Sequence, residues 1–170
     1  ADRPRQGRHH HLNLLRGSAS EPSRLKITLG DGRGALRVEK AVAAASEVYH
    51  FAAQVAVTTS IADPRLDFEV NLGGTFNVLE AARKSGHRPF MLFTSTNKVY
   101  GNMSSSELKA STTRYDYKEI SGITEDHPLD FHSPHGCSKG AAAPDVRNYT
   151  RIYDLPTVVC PTSCHAVRRR

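Results

Sequence analysis

Apolar and polar positions alternate in blocks along this chain, with short extended runs followed by helical ones. Leu25-Lys26-Ile27-Thr28-Leu29 reads as a strand closed by Gly30-Asp31-Gly32, since glycines punctuate extended runs. Ala35–Ala45, alanine-rich with Leu36, Val38 and Val42, reads as a helix, and Glu47–Phe51 as a short buried strand. Over Leu66–Lys84 the residues Phe68, Leu72, Phe76 and Leu79 recur at intervals of three and four. That period predicts a long helix with one apolar face, ended by Ser85-Gly86. Phe90–Phe93 is the next strand. From Met103 to Asp130 the chain turns polar and loses its period, which predicts a loop over the top of the sheet. A helix is expected from about Pro134 towards Tyr153, although Pro144 inside it costs about 3 kcal/mol if the helix continues. Pro156–Val159 is the last strand. Strands alternating with helices predict an α/β fold with a parallel sheet covered by helices.

The chain has 170 residues, enough for one domain with a real core. The pattern divides it into a basic loop and weak helix over 1–24, an α/β domain over 25–160, and an irregular basic tail over 161–170. No apolar run approaches bilayer length. The opening Ala1-Asp2-Arg3-Pro4 lacks the apolar stretch of a signal peptide, so a cytoplasmic location is expected. The net charge of +6 owes much to Arg3, Arg5, Arg8 and Arg168–Arg170 at the ends. No nucleic-acid motif accompanies that charge, so it reads as solvated termini rather than a polyanion site. Cys137, Cys160 and Cys164 are expected as free thiols. Cys160, Cys164 and His165, even with His9–His11, do not have the spacing of a zinc site, and no metal is expected.

Four blocks carry chemistry, in a fixed order. Val48–Ser60 (VYHFAAQVAVTTS) runs from a strand into a turn of small residues, where a backbone can come close to a dinucleotide. Leu72–Gly86 (LGGTFNVLEAARKSG) places two glycines in a helix, which suggests close packing. Arg88–Gly101 (RPFMLFTSTNKVYG) ends a strand with hydroxyls. Pro128–Ala142 (PLDFHSPHGCSKGAA) contains Ser133–Lys139. Together these blocks resemble the extended short-chain dehydrogenase/reductases, in particular the NAD-dependent epimerases and dehydratases of nucleotide sugars.

The resemblance implies a Rossmann-like doubly wound sheet. It also implies that the first βα unit, with its glycine-rich phosphate loop, and the C-terminal substrate domain are missing from this chain. The implied cofactor is NAD and the implied substrate a nucleotide sugar, with a CDP-hexose epimerised at C2 by transient oxidation and re-reduction. Thr96 falls at the catalytic Ser/Thr position and Lys139 at the lysine that binds the nicotinamide ribose. Phe51, Ala52, Ala53 and Gln54 match the turn bordering the cofactor, Asp31 an acid at adenine, and Asn71 a polar residue on the cofactor side. Asp2 matches, least securely, the acid that holds the adenosine ribose. The family's catalytic pair is Tyr-x-x-x-Lys, and His135 occupies the tyrosine position. Neutral imidazole can accept a proton near pH 7, but it reaches less far than a phenol. Two readings therefore stay open, an active epimerase and a catalytically inactive fragment or pseudoenzyme of the same family. A homodimer through Leu66–Lys84 and the helix after Pro134 is implied by the resemblance alone.

Overall fold

The structure, a computed structural model, describes residues 28–103 and 106–161. The strand expected at Leu25–Leu29 lies mostly outside the described residues; Thr28–Gly30 are irregular. Helix α1 (Ala35–Val42) buries Val38 and Val42, whereas Leu36 is exposed. Strand β1 (Glu47–His50) follows, then two short helices, α2 (Val57–Ala62) and α3 (Pro64–Phe68). Asp63 caps α3 by accepting from the Leu66 amide, and Pro64 sits at the first turn, where its missing N–H costs nothing. A π turn, Glu69–Gly73, leads without a break into α4 (Gly74–Lys84).

Strand β2 (Phe90–Thr94) is central. It pairs in parallel with β1 on one side and with β5 (Thr157–Cys160) on the other. Met91 and Phe93 of β2 are fully buried under α4 and α5 (Pro134–Tyr153), joined by Val78, Leu79, Ala82, Ala142 and Val146. This is the expected parallel α/β architecture. β1 is not buried throughout: Val48 and His50 face the core, while Glu47 and Tyr49 are exposed. Among the described residues β1 has a strand on one side only, so it is an edge of the sheet.

Two further expectations need correction. Met103–Asp130 is not a plain loop, because Leu108–Ala110 (β3) and Tyr115–Tyr117 (β4) form an antiparallel hairpin. Its side chains are mostly exposed, which removed the apolar alternation that would have revealed it. The face assigned to the long helix is also wrong. Of its four marker residues only Leu79 is buried, and Phe68 and Phe76 are 56% and 48% exposed. The buried stripe is Asp67, Asn71, Thr75, Val78, Leu79 and Ala82, polar at one end because that end packs against polar groups of the site. α5 does run through Pro144 unbroken. Proline is exposed there, and the packing of Ala142, Val146 and Tyr149 on the sheet holds the helix together. Among the described residues no helix is long and apolar enough to cross a membrane.

Candidate active site

Parallel strands bring their carboxyl ends to one edge, the edge at which open α/β sheets hold ligands. Here that edge carries the turn Phe51–Gln54 after β1, Ser95–Thr96 after β2, and the start of α5. Ser133 caps α5, its Oγ accepting from the Gly136 amide at 3.0 Å, and Pro134 follows at the first turn. Gly136 packs so tightly that a Cβ would lie 3.0 Å from the Lys98 carbonyl oxygen. This contact fixes α5 against the short 3-10 turn Asn97–Tyr100.

Four of the expected residues meet in one buried cluster. Asn71 lies in the π turn, a distortion that often marks functional sites. Its Oδ1 accepts from the Gln54 amide at 2.9 Å, and its Nδ2 donates to the Gln54 carbonyl at 3.2 Å. Ser138 Oγ at 3.0 Å, Asp67 Oδ1 at 3.1 Å and His135 Nδ1 at 3.4 Å compete for the same two N–H bonds. Ser138 in turn donates to Asp67 Oδ2, and Ser60 Oγ accepts from the His135 amide at 3.3 Å. His135 is thus a buried member of a polar network, with Nδ1 turned towards Asn71 and Asp67. Burial pushes its pKa down, while the Asp67 charge opposes the shift and the Lys139 charge adds to it.

Lys139, one turn further along α5, is 3% exposed. Its ammonium lies 4.2 Å from the centre of the Phe93 ring, a cation–π contact. No hydrogen-bond acceptor among the described residues reaches Nζ, and desolvation lowers its pKa to about 8. Beneath it His50 is fully desolvated and held at about 3 by burial and by the Lys139 charge. The Thr75 hydroxyl gives its proton to the Asn71 carbonyl, so His50 Nε2, 3.0 Å from Thr75 Oγ1, is the donor in that pair.

The remaining expected residues stand apart from the cluster. Thr96 is half-buried and caps the 3-10 turn, accepting from the Lys98 amide at 3.3 Å. Phe51 points outward, 61% exposed beside Tyr49, while Ala52 and Ala53 are half-buried. Asp31 is held by Arg33, whose Nη2 lies 2.6 Å from Oδ2. That loop rests on α4: Asn77 Nδ2 donates to the Gly32 and Arg33 carbonyls at 3.0 and 3.1 Å. The packing expected at the two helix glycines holds only for Gly74, where a Cβ would meet Gly32 at an ordinary 3.8 Å; at Gly73 the space is open. Asp2, Cys164, His165 and His9–His11 lie outside the described residues. Among the described residues no group of three or more potential ligands could hold a metal.

A pocket of about 550 Å³ opens between the 3-10 turn and the β3–β4 hairpin, lined by Asn97, Lys98, Tyr100, Asn102, Tyr117 and Pro161 among others; Thr96 precedes its first lining residue. Sequence reasoning missed Asp67, Ser60, His50, Thr75 and Asn77. For Asp67 and Thr75 a signal existed, since with Asn71 they recur every fourth residue and so share one helix face.

A parallel sheet with a polar cluster and a cleft at its carboxyl edge defines an α/β protein of the nucleotide-binding, Rossmann type. The chain belongs to the GDP-mannose 4,6 dehydratase family, which it matches over residues 3–170. It is 48% identical over 112 residues to CDP-paratose 2-epimerase of Salmonella typhi, an overlap of 65% of this chain and 33% of that protein. Among solved structures it is similar to a double mutant of DesIV, a dTDP-glucose 4,6-dehydratase from Streptomyces venezuelae, with NAD and DAU bound. That match has a TM-score of 0.68 and 28% identity, covering 82% of this chain and 38% of the other. UDP-glucose 4-epimerase from Brucella ovis in complex with NAD gives a TM-score of 0.65 at 25% identity, covering 84% and 40%. The chain spans about a third of the length of the curated relatives it matches.

Proposed function

We propose that this chain is the cofactor-binding part of an NAD-dependent nucleotide-sugar epimerase, acting on a CDP-hexose at C2. The observation that supports it most is the Lys139 ammonium, buried at the carboxyl edge of the sheet with an aromatic face below it and no acceptor in reach among the described residues. A ribose hydroxyl would supply that acceptor. Gln54 fits the same reading: its Oε1 is buried and has no partner among the described residues, in a turn whose half-buried Ala52 and Ala53 leave room for a ligand. The residues present therefore suit NAD, with Lys139, Gln54, Asn71 and the Phe51–Ala53 backbone around it and Asp31 at the adenine end. Bound NAD supplies the hydride acceptor and donor. Thr96 orients the reacting sugar hydroxyl beside the pocket of Tyr100 and Tyr117. His135, neutral at physiological pH, stands where a general base is needed, and Lys139 stabilises the developing oxyanion.

Residues 25–160 form this unit in our reading, with 1–24 and 161–170 flanking it, in a cytoplasmic protein. The exposed Phe68 and Phe76 on α3 and α4 suit a homodimer interface. The reaction is tested by incubating the protein with NAD and a CDP-hexose deuterated at C2. Hydride that leaves and returns at one carbon predicts the 2-epimer with its deuterium kept; an epimer that has lost the label would contradict the mechanism. A second reading, a family member that binds nucleotide without turnover, is favoured by one observation, the Nδ1 of His135 facing Asn71 and Asp67. It predicts no epimer from the protein as it stands and none from His135→Tyr.

A further inference from the structure

Asp67 is the sole buried carboxylate among the described residues, with no exposed surface at all. It lies in α3 one turn before Asn71 and faces α5. Oδ1 accepts from Asn71 and sits 3.6 Å from His135 Nδ1, while Oδ2 accepts from Ser138. Hydrogen bonding already favours a carboxylate at this place, because Oδ1 and Oδ2 each accept a bond, and an asparagine would turn its NH2 towards one of the two donors. A neighbouring charge calls for one as well: the Lys139 ammonium, the histidines around it being held neutral by burial. His135 and Lys139 of α5 and His50 of β1 share the same interior, and among the described residues no carboxylate lies within ion-pair distance of Lys139. A buried ammonium without a counter-charge gives up its proton. Burial already brings Lys139 down to about 8, and the one influence holding it up is Asp67.

We propose that Asp67 is a positioning residue of this site: its buried carboxylate is the counter-charge of Lys139 and, with Asn71 and Ser138, fixes the side chain at position 135. It acts from beneath the site, since a residue with no exposed surface meets neither cofactor nor sugar. The inference rests on the reading of Lys139 as the residue that meets the cofactor. It also accounts for Ser138, whose hydroxyl points at Asp67 rather than outward.

The test follows Lys139 directly by NMR titration of its Cε signals in the unliganded protein, in wild type, Asp67→Asn and Asp67→Glu. Removing the charge lowers the Lys139 midpoint by about one unit or more, and glutamate restores most of it. Equal midpoints in wild type and Asp67→Asn overturn the proposal. NAD affinity separates counter-charge from scaffold. Asp67→Asn binds NAD much as wild type does at pH 6.5 and roughly tenfold more weakly at pH 8.5; an equal loss at both overturns the proposal. Should wild type bind no NAD at either pH, the cofactor reading falls, and the Lys139 titration still decides the role of Asp67. If Asp67→Asn does not fold, Asp67→Asn/Lys139→Met decides. Removing the stranded cation restores folding if Asp67 is its counter-charge, and a double variant that stays unfolded refutes this.

Discussion

Burial drives the basic side chains of this site towards their neutral forms, and that has a consequence for stability. His50 titrates near 3 in the fold and near 6.5 in an unfolded chain. Between those values the unfolded chain binds a proton that the native state refuses. Stability is therefore complete above pH 6.5 and falls as pH drops, by up to about 1.4 kcal/mol per unit from this residue. Urea midpoints at pH 7, 5.5 and 4.5 measure the slope, and His50→Gln, which keeps a donor for Thr75, flattens it. At Gly140 sterics decide: a Cβ would lie 2.4 Å from the Phe131 ring. Gly140→Ala is expected to cost about 1–3 kcal/mol in denaturant unfolding, and Gly140→Ala/Phe131→Ala to cost less than the two single changes added together. Of the site, Gln54, Asn71, His135 and Lys139 were legible because they sit in recognisable runs. His50 was not, because a lone histidine in a strand carries no sign that it will be buried, and for Asp67 the only sign was its place on the helix face of Asn71 and Thr75.

Helices and strands here obey their context more than their composition. Pro144 lies in mid-helix with its ring exposed, so α5 lacks the bond to the Gly140 carbonyl and gains no packing in return. Pro144→Ala should raise stability by about 1–3 kcal/mol, read as a higher thermal midpoint; an unchanged or lower midpoint would mean that the ring holds α5 in place. The elements themselves were largely legible. β1, β2, β5, α1 and α5 fall where runs of apolar residues and turn residues put them. The faces were harder to read. The stripe of Phe68, Leu72 and Phe76 suggested a core, yet the helix turns Asp67, Asn71 and Thr75 inward because Gln54, Ser138 and His50 wait there with hydrogen bonds. Hydrophobic periodicity reports which residues share a face and leaves open which face is buried. The β3–β4 hairpin escaped for a related reason, since its exposed strands bury no alternating side.

At the scale of the whole molecule, α4 and α5 are clamped together far from the site. Glu80 takes the Tyr149 hydroxyl at 2.8 Å and both arms of Arg83, and these contacts hold its carboxyl down at about 2. The clamp fixes α5, which carries Lys139, against α4, which continues the π turn of Asn71, so the cluster at the sheet edge is set by packing that reaches the opposite end of the sheet. The family was legible in four sequence blocks, and the parallel sheet with its buried cluster agrees with them. Titration of NAD into the purified protein by calorimetry tests the central claim most directly. The account predicts saturable one-site binding that weakens about tenfold or more in Lys139→Met, the loss of a charge-assisted hydrogen bond. Absence of NAD binding by the wild-type protein, or equal affinity in Lys139→Met, would contradict it.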